Sequence, residues 1–245
     1  VALLGQGVAT LMGLETALAA IKAAQLPAGE KGWRPIPPAN ARTTQLLSEA
    51  EGKALLERAG IPVPRGVSAS TLAELSSKVE GLAAPLALKG LGFAHKTEAN
   101  AVRLGLASLE GQAEMPGAEG YLAEEMVTGA LAEILVGVRR DPVYGATLTI
   151  GIGGVTAELL ADTVTLVLPV SEHDVGEAIK RLRLWPLLDG YRGRAKADVA
   201  SVAAVAAKVA ALLTAYESIE EIEINPIMVT ADSAVAVDAL VRVAV

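Results

Sequence analysis

"LALKGLGFAHKTEANAVRLG", residues Leu86–Gly105, joins two apolar runs through a glycine-containing turn that holds one of the chain's two histidines. The first run reads as a buried strand ending on Lys89. An ammonium at the end of a buried strand needs an anionic partner, because desolvating a lone charge is costly. His95 follows in the turn beside Lys96, whose positive charge favours the neutral, nucleophilic imidazole near neutral pH. A neutral imidazole can accept a phosphoryl group, a transfer that depends on in-line positioning and charge stabilisation. On composition alone a loop histidine is more commonly structural or solvated, and His173, at a helix start, is read that way.

The glycines around this stretch, Gly90, Gly92 and Gly105, and the later Gly151, Gly153 and Gly154, allow close backbone approach and can turn N–H groups toward phosphate oxygens. Taken singly each fits an ordinary turn equally well. The chain has no Walker A pattern and no GxGxxG opening a βαβ unit, so a nucleotide would be held by another fold. Near the C-terminus, "EIEINPIMV" (Glu221–Val229) places Glu223 and Asn225 two apart on a strand, on one face, with Ile222 and Ile224 on the other. "AVAVDALV" ends a following strand at Asp238, and a hairpin would gather Glu223, Asn225 and Asp238. Two carboxylates and an amide oxygen on one sheet face suit Mg²⁺, which shares its coordination with water and phosphates. The alternative is a solvated acidic strand face. In "EEMVTGALAEILVGVRRDP", the main chain of Glu124, Glu125, Met126 and Val127 could pair with an adenine edge and Glu133 with ribose hydroxyls. A hairpin with acidic rims fits the same spacing.

Organisation follows from punctuation and period. "VALLGQGVATLMGLETALAAIKAAQ" reads as a strand or loop and an amphipathic helix, and Leu26–Ala41, with four prolines and two glycines, as a linker. A boundary is expected near Thr44. Ser48 with Glu51 forms a capping box opening a helix that ends before Gly60 and Pro62. Thr71–Val79 reads as a second helix. The remaining apolar runs fit mainly antiparallel strands. Two helices lie among them, "EHDVGEAIKRLRLWPLL" and "ADVASVAAVAAKVAALLTAY", the second with Val202, Val205, Val209 and Leu212 on one stripe. The pattern is α+β.

The composition bounds the function. The 245 residues are 52% hydrophobic with a net charge of -7, so there is no basic field for nucleic acid. Mean hydropathy is +0.43, yet charges, Gly or Pro interrupt every candidate span before about 20 apolar residues accumulate. No membrane segment is expected. The apolar start lacks a basic n-region and carries Glu15 and Lys22 at helical positions, unlike a signal peptide. Without cysteine, thiol catalysis and zinc–thiolate sites are excluded, and a cytoplasmic location fits.

Residues 46 to 241 resemble the ATP-grasp domain of the NDP-forming (ADP-forming) acyl-CoA synthetases, relatives of succinyl-CoA synthetase. The words that carry this are "LLSEAEGKALLERAGIPVP", "LALKGLGFAHKTE", "EEMVTGALAEILVGVRRDPVYG", "GIGGVTAELLAD", "LLDGYRG", "EIEINPIMV" and "AVDAL". The resemblance implies an ATP-grasp fold of two lobes enclosing ATP and Mg²⁺, and an acid–thiol ligase that interconverts carboxylate, CoA and ATP with acyl-CoA, ADP and phosphate. It places His95 as the phosphate relay, Lys89 and Arg139 on nucleotide phosphates, "EEMV" at the adenine hinge, Gly153 and Gly154 near the phosphate path, and Asn225 and Asp238 on Mg²⁺ with Glu223 beside them.

It further implies that residues 1–44 are the tail of a ligase-CoA-like domain plus linker, and 45–245 the ATP-grasp domain. The small lobe would cover about 63–119 and the large lobe 45–62 and 120–245. CoA and the carboxylic acid would be bound by other domains of the same polypeptide or by a partner subunit, and a homo-oligomer is admitted. Where family members read Gly-Gly-Val after "HKTE", this chain reads Ala99, Asn100, Ala101, Val102. The rival reading is a non-catalytic ATP-sensing domain of a protein acyltransferase, against which His95 argues.

Overall fold

The computed structural model describes residues 13–24, 34–37, 42–93, 100–154 and 161–245. The chain divides into two units, Val1–Arg34 and Pro35–Val245, so the division falls ten residues before the boundary expected near Thr44. In the first, one helix is described, α1 (Leu14–Ala24).

The second unit is α+β, built on two sheets whose pairings among the described residues are all antiparallel. In chain order its elements are β1 (Thr44–Leu46), α2 (Glu49–Arg58), β2 (Gly66–Ala69), α3 (Leu72–Lys78), β3 (Leu86–Leu91), β4 (Val102–Leu106) and β5 (Gly120–Glu125). There follow β6 (Ala132–Asp141), β7 (Gly145–Ile152), β8 (Thr163–Val167), α4 (Glu172–Ile179), α5 (Trp185–Leu188), α6 (Val199–Ala215), β9 (Ile219–Val229), β10 (Ala234–Ala236) and β11 (Leu240–Ala244). The seven-stranded sheet runs β1-β11-β9-β6-β7-β8 with β10 on β9, and the four-stranded sheet runs β2-β5-β3-β4.

Each sheet has its own core. α6 lays its expected stripe of Val202, Val205, Val209 and Leu212 against the large sheet, where Ile134, Val136, Leu148, Ile150, Ile222 and Ile224 are buried. The smaller core gathers Leu72, Leu75, Leu86, Leu88 and Tyr121. α2 starts as the capping box requires, with Ser48 accepting from the Glu51 N–H and Glu51 accepting from the Ser48 N–H.

Two further features differ from the sequence reading. β5 lies between β2 and β3 in the small sheet, so residues 120–125 belong to the small lobe rather than the large one. Its unbroken buried run is that of a central strand covered on both faces. The helix expected over 172–188 is broken into α4 and α5. Pro186 cannot continue a helix through this point, and the Asp162 carboxylate accepts the N–H groups of Arg183 and Leu184 at 2.9 and 3.0 Å.

The substituted segment after "HKTE" is described from Asn100 onward. Asn100 adopts φ +52, a left-handed conformation that asparagine tolerates better than most residues with a Cβ. Ala101 is fully buried and accepts the Gly90 N–H through its carbonyl at 2.8 Å.

Candidate functional site

The metal-ligand candidates are assembled by β9. Ile222, Ile224, Ile227 and Val229 point into the core, which leaves Glu221 and Glu223 on the opposite face. Ile134 opposes Ile227 while Val136 opposes Ile224, so Asn225 and Pro226 together face the single residue Leu135. This bulge re-aims Asn225. The connection from β10 to β11 crosses beside it, where the Val237 N–H donates to the Pro226 carbonyl at 3.2 Å, and Asp238 is the next residue.

Glu223, Asn225 and Asp238 line one cavity of about 760 Å³, together with Glu49, Phe93, Glu221 and Arg242. The structure therefore brings the three candidates together. Burial, and then the negative charges of Glu221 and Asp238, hold the Glu223 carboxyl above its ordinary range. A divalent cation would relieve that crowding. Among the described residues no group of three or more His, Cys, Asp or Glu is placed to hold a metal ion.

Gly153, Gly154 and Glu133 meet Asn225 at one end of β6 and β7. The Gly154 N–H donates to Asn225 Oδ1 at 3.0 Å, and the Gly153 N–H donates to the Glu133 carbonyl at 2.8 Å. Gly154 has φ +73, and a Cβ there would overlap the Glu133 carboxylate.

Lys89 is 7% exposed and its anionic partners are Glu49, with Nζ to Oε1 at 2.6 Å, and Glu124, at 2.9 Å. Lys53 joins the same two carboxylates, 3.0 Å from Glu49 Oε1 and in contact with Glu124. Both ammonium groups donate to the Val237 carbonyl. Burial pulls Lys89 down, but Glu49, Glu124 and Asp238 outweigh it and hold the ammonium above the ordinary lysine range. Burial and the adjacent Lys89 push Lys53 the other way.

Sequence reasoning passed over Glu49 and Lys53. Their i,i+4 spacing just after a cap was the available signal, and such pairs normally face solvent. Here β3 and β5 cover them.

The other candidates are spread along the cleft. Glu124 turns its side chain into the quartet and is 2% exposed. The Glu125 and Met126 N–H groups donate to the carbonyls of Arg65 and Pro85, each at 2.9 Å. An adenine edge at this hinge would therefore rely on main-chain groups beyond these two amides, toward Val127. Arg139 stands across from Glu221 in the β6–β9 ladder, two residues on from the Gly137–Glu223 pair, and binds Asp141 at 2.6 Å. It lies two residues before the end of β6, with its side chain largely exposed. His173 is exposed at the start of α4. His95 lies outside the described residues.

Two antiparallel sheets thus meet around a lysine and a group of carboxylates, and comparison with known proteins identifies the class to which this arrangement belongs. A family model described as an ATP-grasp domain matches residues 38–243. The chain is 31% identical over 208 residues to the beta subunit of acetate–CoA ligase (ADP-forming) I of Pyrococcus furiosus, covering 79% of this chain and 90% of that one.

Among solved structures it is similar to acetyl-coenzyme A synthetase 1 of Ca. Korarchaeum cryptofilum in complex with coenzyme A and Ca-AMPCP. The TM-score is 0.73 at 28% identity, over 81% of this chain and 93% of that one. A second structure of that enzyme contains coenzyme A and Mg-AMPPCP, with its phosphohistidine segment pointing towards the nucleotide binding site. Here the TM-score is 0.70 at 28% identity, over 80% and 91% of the two chains. The chain belongs to the ATP-grasp family and is the ATP-grasp part of an ADP-forming acyl-CoA synthetase, an acid–thiol ligase. Among the described residues no helix is long and apolar enough to cross a membrane.

Proposed function

We propose that this chain binds Mg-ATP between its two sheets and moves the terminal phosphoryl group onto His95, the nucleotide-side half of an acyl-CoA synthetase reaction. The observation that carries this reading is one short segment: Lys89 donates to the Val237 carbonyl, and the following residue, Asp238, shares the cavity wall with Glu223 and Asn225. This adjacency of a buried lysine and the three oxygen-bearing side chains supports the reading that they meet one triphosphate.

Glu223, Asn225 and Asp238 would hold Mg²⁺, which when bound neutralises charge on the phosphate oxygens. Lys89 supplies a fixed positive charge there, and the Gly153–Gly154 turn lets backbone approach the phosphates. Arg139, farther out on β6, would meet phosphate only at the rim. Adenine would lie against the Glu124–Val127 strand end and ribose near Glu133. In the transfer, the imidazole nitrogen of His95 forms a bond to the γ-phosphorus as the bond to the bridging oxygen breaks, leaving ADP and phosphohistidine.

Coenzyme A and the carboxylic acid would be bound on a partner subunit or further domain, a reading supported by the beta-subunit name of the Pyrococcus relative. Catalysis in the cytoplasm is part of the same proposal. The test is incubation with Mg²⁺ and γ-labelled ATP. Acid-labile, base-stable label on the wild-type chain that is absent from His95→Ala supports the relay. Nucleotide binding with no label on either chain would favour an ATP-sensing module instead.

A further inference from the structure

We propose that Glu49 is a positioning residue of the nucleotide site: its carboxylate holds the Lys89 ammonium until a triphosphate replaces it there, and Lys53 then keeps Glu49 paired. This rests on the reading that Lys89 meets nucleotide phosphates.

The geometry supplies the exchange. Glu49 and Lys53 come from α2, Lys89 from β3 and Glu124 from β5, so the quartet joins a helix beside the large sheet to the small sheet. All four are between 2% and 7% exposed. Oε1 of Glu49 is shared by the two lysines, at 2.6 Å from Lys89 and 3.0 Å from Lys53. The group pairs two basic side chains with two acidic ones.

A triphosphate drawn to Lys89 would bring several negative charges up against Glu49, which must then give up its hold. A buried carboxylate stripped of its only cation is strongly destabilising. Lys53 removes that obstacle, because both Glu49 and Glu124 already touch it and keep it when Lys89 turns away. The cavities agree with these roles. Glu49 borders the cavity of about 760 Å³ with Glu223, Asn225 and Asp238. Lys53 and Glu124 border a separate one of about 410 Å³. Glu49 is thus the quartet member that shares a cavity with the proposed metal ligands, and Lys53 meets it from the side of the other cavity.

The experiment is a calorimetric titration of the whole chain with Mg-ATP, with melting curves in its absence to verify folding. Glu49→Gln keeps the shape of the side chain but weakens its grip on Lys89, and should lower Kd about tenfold, a coupling typical of contacting groups. Glu57→Gln, the same charge change farther along α2, should leave Kd within about twofold, since its charge is exposed and screened. Lys53→Met should raise Kd about tenfold although Lys53 does not line the cavity of Glu223, Asn225 and Asp238. If that variant does not fold, Glu49→Gln in the Lys89→Met background decides, because the exchange predicts that the tightening disappears once Lys89 is gone, whereas simple relief of charge repulsion would persist. An unchanged or higher Kd in Glu49→Gln overturns the exchange. Lys89→Met separates the two claims: wild-type binding by that variant would sink the reading of Lys89 itself, whereas lost binding alongside an unchanged Glu49→Gln would sink the exchange alone.

Discussion

The main-chain N–H of Gly154 donates to the side-chain oxygen of Asn225 at 3.0 Å, tying the turn after β7 to the bulge in β9 across 71 positions of sequence. The amide is thereby oriented before any ligand arrives. One lone pair of its oxygen is engaged, and under the proposed function the other would meet the cation. Preorganisation of this kind removes part of the ordering cost of binding.

Gly154→Ala tests that link. At φ +73, with the Glu133 carboxylate in the path of a Cβ, the substitution should cost about 1–3 kcal/mol. The melting temperature should fall by roughly 2–4 °C for each kcal/mol lost. Mg-ATP affinity should fall with it, and thermal denaturation with and without Mg-ATP measures both.

Asn100, at φ +52, gives a second backbone test. Asn100→Gly should leave the urea midpoint nearly unchanged, because glycine enters the left-handed region freely. Asn100→Val should destabilise by about 1–2 kcal/mol, since a β-branched side chain is poorly tolerated there. Equal midpoints for the two variants would refute the conformational account.

Glu223 makes stability depend on pH. Burial, reinforced by Glu221 and Asp238, raises its pKa in the folded chain, so between the ordinary carboxylate value of about 4.3 and the raised one the folded chain binds more protons than the unfolded chain. That contribution is fully present below the ordinary value and is lost as pH climbs through the folded value. Glu223→Gln does not titrate. The melting difference, variant minus wild type, should therefore grow more positive from pH 4 to pH 7, as scanning calorimetry across that range would record.

Asp238→Asn should raise the Mg²⁺ concentration needed for half-maximal ATP binding by about tenfold or more. Its amide oxygen can still accept the Ala239 N–H, which Asp238 accepts at 2.8 Å, so the fold should persist. An unaltered Mg²⁺ requirement would remove Asp238 from the metal site.

The capping box of Ser48 and Glu51, the stripe on α6 and the alternation of Ile222 and Ile224 against Glu223 are legible in sequence because they are short-range. Each is a backbone period or a cap three residues long, and period decides which face is apolar. The helix break near Pro186 was less visible, because Asp162 completes it from 21 residues upstream. The place of residues 120–125 could not be read either, since a buried strand carries no mark of which sheet it joins.

The chain's local patterns indicated α+β architecture and put Glu223, Asn225 and Asp238 within reach of one another, and its motif words carried the resemblance to the family. Folding in three dimensions decided what surrounds Lys89. Its carboxylate partner Glu49 is 40 residues away and its carbonyl partner at Val237 is 148 away. An apolar pattern announces that a lysine will be buried, but the charges that meet it there arrive from other elements, and only the packing of α2 against β3 and β5 selects them.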